Sequence, residues 1–171
     1  KAVGEYLSQF GVEMHTWRVG RAYAALKLRE INGLFGGELA GHYYFKEFYY
    51  SDSGILAMLI VLDVINRKKK EGITVSELIA KISGYANSGE LNFTLEKKLD
   101  AMEAVVKHFS DRQTPEKIMD FDGYRLEYKD YWFSIRPSNT EPYLRFIAEA
   151  KNTELLTNIV QEVESIIKKY Q

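Results

Sequence analysis

A change of pattern at residues 83–89, where two glycines, two serines and an asparagine fall within seven positions, limits the folds open to this sequence more than any other feature. Ahead of it, strand and helix signals alternate. Val3, Tyr6, Leu7 and Phe10 keep helical spacing up to Gly11. Residues 12–19 predict a strand and 21–31 a helix ending at Asn32-Gly33. Leu34-Phe35 is a short strand, followed by a Gly-rich turn at 36–41 and an aromatic strand over 42–45. An apolar helix runs from 53 to about 70, with a basic end where cations suit the helix dipole. Thr74-Val75-Ser76-Glu77 is a capping box for one more helix. Short connections between such elements predict an α/β three-layer domain with a mostly parallel sheet. No cap precedes the opening helix, so residues 1–84 are expected to form a domain truncated at its N-terminus.

After the change the order differs. Leu95, Leu99, Met102, Val106 and Phe109 form one helical stripe. Residues 118–121 and 124–128 predict a β-hairpin with a type I′ turn at Asp122-Gly123. Residues 131–135 and 143–150 are two further strands, and a final helix carries Leu155, Leu156, Ile159, Val160, Val163, Ile166 and Ile167 on one face. Helix, four strands, helix over residues 85–171 predicts an α+β domain with a largely antiparallel four-stranded sheet and both helices on one face.

Composition removes several classes of function. With 23 Lys+Arg against 24 Asp+Glu the formal net charge is -1, so no global field draws the chain to nucleic acid or to an anionic membrane. There is no cysteine, which excludes disulfides, thiolate metal sites and a cysteine nucleophile, and fits a reducing cytoplasm. His15, His42 and His108 have no metal-ligand spacing. The longest apolar run, 55–62, falls far short of the ~20 residues a bilayer requires.

Two short segments carry chemistry. Arg136-Pro137-Ser138-Asn139-Thr140-Glu141-Pro142 combines a guanidinium, hydroxyls and an amide between two strands, the donor set of a phosphate cradle. The same residues also suit a turn stiffened by two prolines, with Ser138 and Asn139 bonding their own backbone. Arg145, just inside the next strand, is either a second cation for that loop or a solvated strand residue. The other segment is Gly36-Gly37-Glu38-Leu39-Ala40-Gly41-His42. Its glycines allow close backbone approach, and a carboxylate with an imidazole four residues on suits vicinal hydroxyls. A tight turn with exposed Glu38 and packed His42 fits the pattern too. Tyr43, Tyr44, Phe45, Phe48, Tyr49 and Tyr50 suit either a sugar face or a core. Asp52, ahead of Gly54, fits a helix N-cap without a catalytic role.

Together these segments resemble the C-terminal half of a bacterial phosphomannomutase/phosphoglucomutase, of the α-D-phosphohexomutase superfamily. Glu38 to His42 is similar to the sugar-recognition loop of that family's third domain, and the 136–142 segment to the phosphate loop of its fourth. Arg18-Val19-Gly20, Tyr43-Tyr44-Phe45-Lys46 with Asp52-Ser53-Gly54, and Ser88-Gly89-Glu90-Leu91-Asn92 add to the likeness, which covers essentially the whole chain. The family usually has serine where Ala40 stands, and histidine is common where Arg21 stands.

The resemblance implies an isomerase that moves a phosphoryl group between C1 and C6 of a hexose through a bisphosphorylated sugar, which is also its activator. It implies that Glu38 and His42 bind sugar hydroxyls, that Arg136, Ser138, Asn139 and Thr140 hold the phosphate that is not reacting, and that Arg18, Gly20 and Arg21 line the substrate site. The family's phosphoserine and Mg2+ loops have no counterpart here, so the metal ligands are expected outside this chain and the fragment alone is expected to be inactive. Expected partners are hexose phosphates and the N-terminal domains of the same protein, in the cytoplasm, with no nucleic acid or membrane. A different class remains open: a non-catalytic phosphosugar-binding or protein-interaction module.

Overall fold

The structure, a computed structural model, describes residues 1–138 and 141–171. The chain divides into two compact units, Leu7–Ile82 and Ser83–Gln171, the latter joined by Lys1–Tyr6. The opening residues thus pack with the C-terminal unit rather than with the segment that follows them. Tyr85 donates its hydroxyl to Glu5 at 2.8 Å, and the Lys1 ammonium donates to the Tyr128 carbonyl.

The N-terminal unit begins in α1 (Ala2–Ser8), which the boundary crosses, and continues through α2 (Arg21–Glu30), β1 (Phe35–Gly37), β2 (Tyr43–Phe45), β3 (Ser51–Asp52), α3 (Gly54–Lys70) and α4 (Val75–Ile82). Asn32, with φ +54, ends α2 where the sequence places the stop. The capping box forms: Thr74 Oγ1 accepts from the Glu77 N–H at 3.2 Å, and Glu77 Oε2 accepts from the Thr74 N–H at 2.8 Å.

The expected mostly parallel sheet does not form. The strands run β1-β2-β3, and both pairings are antiparallel. Residues 12–19, expected as a strand, contain none. That run is mostly exposed and joins no sheet among the described residues, and a strand exists only through its ladder. Among the described residues of this unit, burial reaches core level at Leu28, Tyr44 and Ala57 alone. One side of α3 is open, with Ile55 73% and Leu59 55% exposed. Among the described residues, no helix is long and apolar enough to cross a membrane.

The C-terminal unit holds β4 (Ala86–Asn87), β5 (Leu91–Thr94), α5 (Lys98–Arg112), β6 (Lys117–Met119), β7 (Tyr124–Glu127), β8 (Tyr131–Pro137), β9 (Tyr143–Ala150) and α6 (Thr153–Ile167). Its sheet has six strands rather than four. Their order is β4-β9-β8-β7-β6, with β5 also on β9, all antiparallel. The two additional strands come from the segment read as a junction. The hairpin turn also differs: Gly123, at φ +69, is left-handed but Asp122 is not, whereas type I′ requires both.

Burial alternates residue by residue along β9, so Leu144, Phe146, Ala148 and Ala150 face the core. Phe133 and Ile135 from β8 pair with Ala148 and Phe146 on that face. Val105 and Phe109 of α5 and Ile159 and Val163 of α6 close over it, as expected of helices on one face. Phe109 meets Phe133 edge-on, with ring centroids 4.9 Å apart. The opposite sheet face carries Arg136 and Arg145, together with Arg125, Glu127 and Glu149 beside Trp132 and Ile147.

Candidate functional site

In the N-terminal unit, the turn between β1 and β2 closes on itself. The Glu38 N–H donates to the His42 carbonyl at 2.9 Å, and the Gly41 N–H to the Glu38 carbonyl at 3.0 Å. The two side chains proposed for hydroxyl recognition thereby leave from either end of one tight turn. Each is fixed by a second residue. The Tyr44 hydroxyl donates to Glu38 Oε1 at 2.6 Å, and His42 Nδ1 lies 2.5 Å from Asp52 Oδ2. Asp52 is itself held, since its Oδ1 accepts from the Tyr43 N–H at 2.9 Å.

This arrangement leaves Glu38 one carboxylate oxygen and His42 its Nε2 for other work. Burial of Tyr44, then its bond to the Glu38 carboxylate, pushes the phenol well above its usual value, so it remains a donor at neutral pH. The hydrogen bond from His42, then that from the Tyr43 N–H, hold the Asp52 carboxyl below the usual carboxylate range. The Arg21 guanidinium acts on both groups, opposing the Tyr44 rise and adding to the Asp52 depression.

Arg18 and Gly20 both meet Tyr23 of α2. The Arg18 guanidinium lies 3.8 Å from the centroid of the Tyr23 ring. Gly20 precedes α2 with φ 131, and a Cβ there would stand 3.0 Å from Tyr23 Cδ2. A side chain at position 20 would meet both backbone strain and the ring.

In the C-terminal unit, Arg136 and Ser138 stand where β8 ends, and β9 returns from Tyr143. Asn139 and Thr140, expected to share the phosphate, lie outside the described residues. Ser138 is 8% exposed, and its N–H, Oγ and carbonyl each make a hydrogen bond. Its N–H donates to the Tyr143 carbonyl at 2.8 Å, its Oγ accepts from the Glu141 N–H at 3.3 Å, and its carbonyl accepts from Lys98 Nζ at 2.9 Å. Arg136 and Arg145 are directly opposed in the β8·β9 register. Arg136 NH1 is 3.8 Å from Asp122, while Arg145 contacts Glu141 at 3.0 Å and Glu90 at 3.4 Å. The Nε of Arg145 is buried and has no hydrogen-bond partner among the described residues.

Sequence reasoning assigned Asp52 to a helix N-cap. The cap of α3 is Ser53, whose Oγ accepts from the Leu56 N–H at 3.2 Å. Asp52 instead orients His42. Tyr44, Asp52 and Lys98 were missed as site residues, and the pairing of Tyr44 with Asp52 across β2·β3 is not visible in a linear pattern. Among the described residues no three of His, Asp and Glu converge as metal ligands. The described residues therefore do not fit a magnesium site.

The chain thus holds two α/β units, one carrying a carboxylate–imidazole turn and the other a pair of opposed arginines at the ends of two strands. Residues 1–85 match the family described as phosphoglucomutase/phosphomannomutase, alpha/beta/alpha domain III, and residues 90–166 match its C-terminal domain. The chain belongs to the phosphoglucomutase/phosphomannomutase family. It is 36% identical over 169 residues to a phosphomannomutase of Methanocaldococcus jannaschii, covering 99% of this chain and 36% of that protein. A probable phosphoglucosamine mutase of Thermococcus gammatolerans is 32% identical over 98% of this chain and 36% of its own. A solved phosphoglucomutase/phosphomannomutase family protein from Burkholderia thailandensis superposes with a TM-score of 0.77 at 24% identity, over 98% of this chain and 35% of that one, and shows the fold. The chain thus spans about a third of the length of these relatives.

Proposed function

We propose that this chain is the sugar- and phosphate-recognising portion of a phosphohexomutase that interconverts hexose 1-phosphate and hexose 6-phosphate through a bisphosphorylated sugar. The reacting phosphoserine and the Mg2+ that supports phosphoryl transfer belong to the two thirds of its relatives' length that this chain does not span. The chain alone is therefore inactive, and its partners are hexose phosphates and the N-terminal domains of the same protein in the cytoplasm. The open side of α3 supports that partnership, because so much contiguous apolar surface marks an interface. Names among the relatives extend to phosphomannomutase and phosphoglucosamine mutase, so the hexose is left as a class.

The observation that carries this reading is the opposed pair Arg136 and Arg145 at the mouth of the phosphate loop. Like charges directly across a ladder are unfavourable. Two guanidinium forks on one sheet face, offset by Asp122, Glu90 and Glu141, suit a dianion that both can share. In this division of roles Arg136, Ser138, Asn139 and Thr140 hold the non-reacting phosphate, with Arg145 as a second cation. Glu38 through its free oxygen and His42 through Nε2 bind hydroxyls, flanked by Arg18, Gly20 and Arg21. Binding energy at a remote phosphate orients the reacting end.

Calorimetric titration with mannose 1-phosphate and glucose 1-phosphate tests this. Arg136→Ala is expected to weaken binding by about tenfold or more, the scale of one lost charge-assisted hydrogen-bond set. Glu38→Ala should weaken the sugar phosphates but leave inorganic phosphate unaffected. Equal affinity in Arg136→Ala and the parent would remove the phosphate reading.

A further inference from the structure

Lys98 is the first residue of α5, and its half-buried ammonium donates to two backbone carbonyls at once, Ser138 and Glu141, each at 2.9 Å. These carbonyls are the two shoulders of the phosphate loop. The segment leading into α5 is tied to the same loop a second time, because the Leu95 N–H donates to the Pro142 carbonyl at 3.2 Å. A lysine in this position is otherwise unexpected. The first turn of a helix is the end at which the macrodipole disfavours a cation, and Lys97 precedes it as the N-cap without a side-chain cap bond. Convergence of two carbonyl oxygens on one point would in turn be unfavourable without a donor between them.

Arg136 and Arg145 face carboxylates. Lys98 differs, since its partners among the described residues are peptide carbonyls, which leave its full positive charge uncancelled behind the loop. We infer that Lys98 is a positioning residue for phosphate binding: its ammonium fixes the spacing of the Ser138 and Glu141 shoulders and places an unneutralised charge beneath the anion. This inference rests on the phosphate reading of the loop. Lys98 does not touch the ligand; it acts through Ser138 and the loop backbone.

Two variants of this same chain test it. Lys98→Met keeps length and apolar stem but removes the charge, and Lys98→Arg restores charge and donors. Affinity for inorganic phosphate and glucose 1-phosphate is read by calorimetry, and amide hydrogen exchange is read at Ser138, Glu141, Phe133 and Phe146. Lys98→Met is expected to raise Kd about tenfold, the scale of lost charge-assisted hydrogen bonds. It should also speed exchange at Ser138 and Glu141 with Phe133 and Phe146 unchanged, and Lys98→Arg should restore both. Faster exchange with unchanged Kd overturns the inference, because Lys98 is then a strut without influence on the anion. Unchanged exchange and Kd overturn it outright. If neither the parent chain nor Arg136→Ala binds phosphate while exchange still responds to Lys98→Met, the phosphate reading itself has failed, and the role given to Lys98 falls with it.

Discussion

Replacing Gly123 with alanine probes how the β6–β7 turn holds Arg136 in place. Gly123 has φ +69, and a Cβ built there would lie 2.4 Å from the Ile135 carbonyl oxygen, 2.5 Å from Arg136 Cβ and 2.7 Å from Arg136 Cα. The left-handed backbone alone costs an alanine about 1–2 kcal/mol. The clash is with the backbone of β8 rather than with a flexible tip, so the strand must shift, adding roughly 1–3 kcal/mol. Gly89 isolates the second contribution. It has nearly the same φ, +67, but nothing within 4 Å of its Cβ position, so Gly89→Ala should lose about 1–2 kcal/mol and Gly123→Ala about 2–5 kcal/mol. The assay is urea denaturation followed by fluorescence of Trp132 in β8. Using a Trp17→Phe background, which leaves a single tryptophan of the two, restricts the signal to one unit of a two-unit chain. Equal losses in the two variants would refute the close-approach argument. A matched loss of phosphate affinity in Gly123→Ala but not in Gly89→Ala would connect the turn to Arg136.

Asp52 gives a pH dependence of known sign. Its carboxyl is depressed below the ordinary 3.8, so the ionised group contributes stability present above about pH 4 and lost as the pH falls through its folded value. Thermal melts followed by Trp17 in a Trp132→Phe background should show a gap between parent and Asp52→Asn at pH 7 that closes below pH 4, and a gap independent of pH would contradict the His42–Asp52 geometry. Thr74→Ala removes the reciprocal cap of α4 and should cost about 1 kcal/mol in the same probe under urea, whereas a neutral substitution would mean that the capping bonds are not formed in solution.

The C-terminal unit was the more legible in sequence because its elements bury one face against one core. The period-two pattern of β9 and the apolar stripe of α6 follow directly from that. Two- and four-residue strands such as β4 and β5 give no period to read, and they exist because β9 offers edges to bond. The small sheet was expected to be parallel because strand and helix signals alternate, but β1, β2 and β3 follow one another with no α-helix between them and pair antiparallel. The 12–19 run had strand-like residues but joins no sheet among the described residues. In the site, Glu38 and His42 announced themselves through residue type in a Gly-rich turn. Tyr44 and Asp52 could not, since their role depends on strand pairing, and Lys98 reaches a loop forty residues away.

The distribution of core between the two units has a consequence for how such a protein changes over time. Under the proposed roles, phosphate grip is built on a six-stranded sheet in which nearly every inward position is filled, and hydroxyl recognition on a three-stranded sheet with a core of Leu28, Tyr44 and Ala57. A substitution near Arg136 must be accommodated by tightly packed neighbours, so the grip is expected to resist drift. The turn is exposed from Leu39 to His42, with Glu38 half-buried, so sugar preference is the property that point mutation around Ala40 can retune at small structural risk. Divergence of hexose choice around a constant phosphate grip is the pattern this architecture favours.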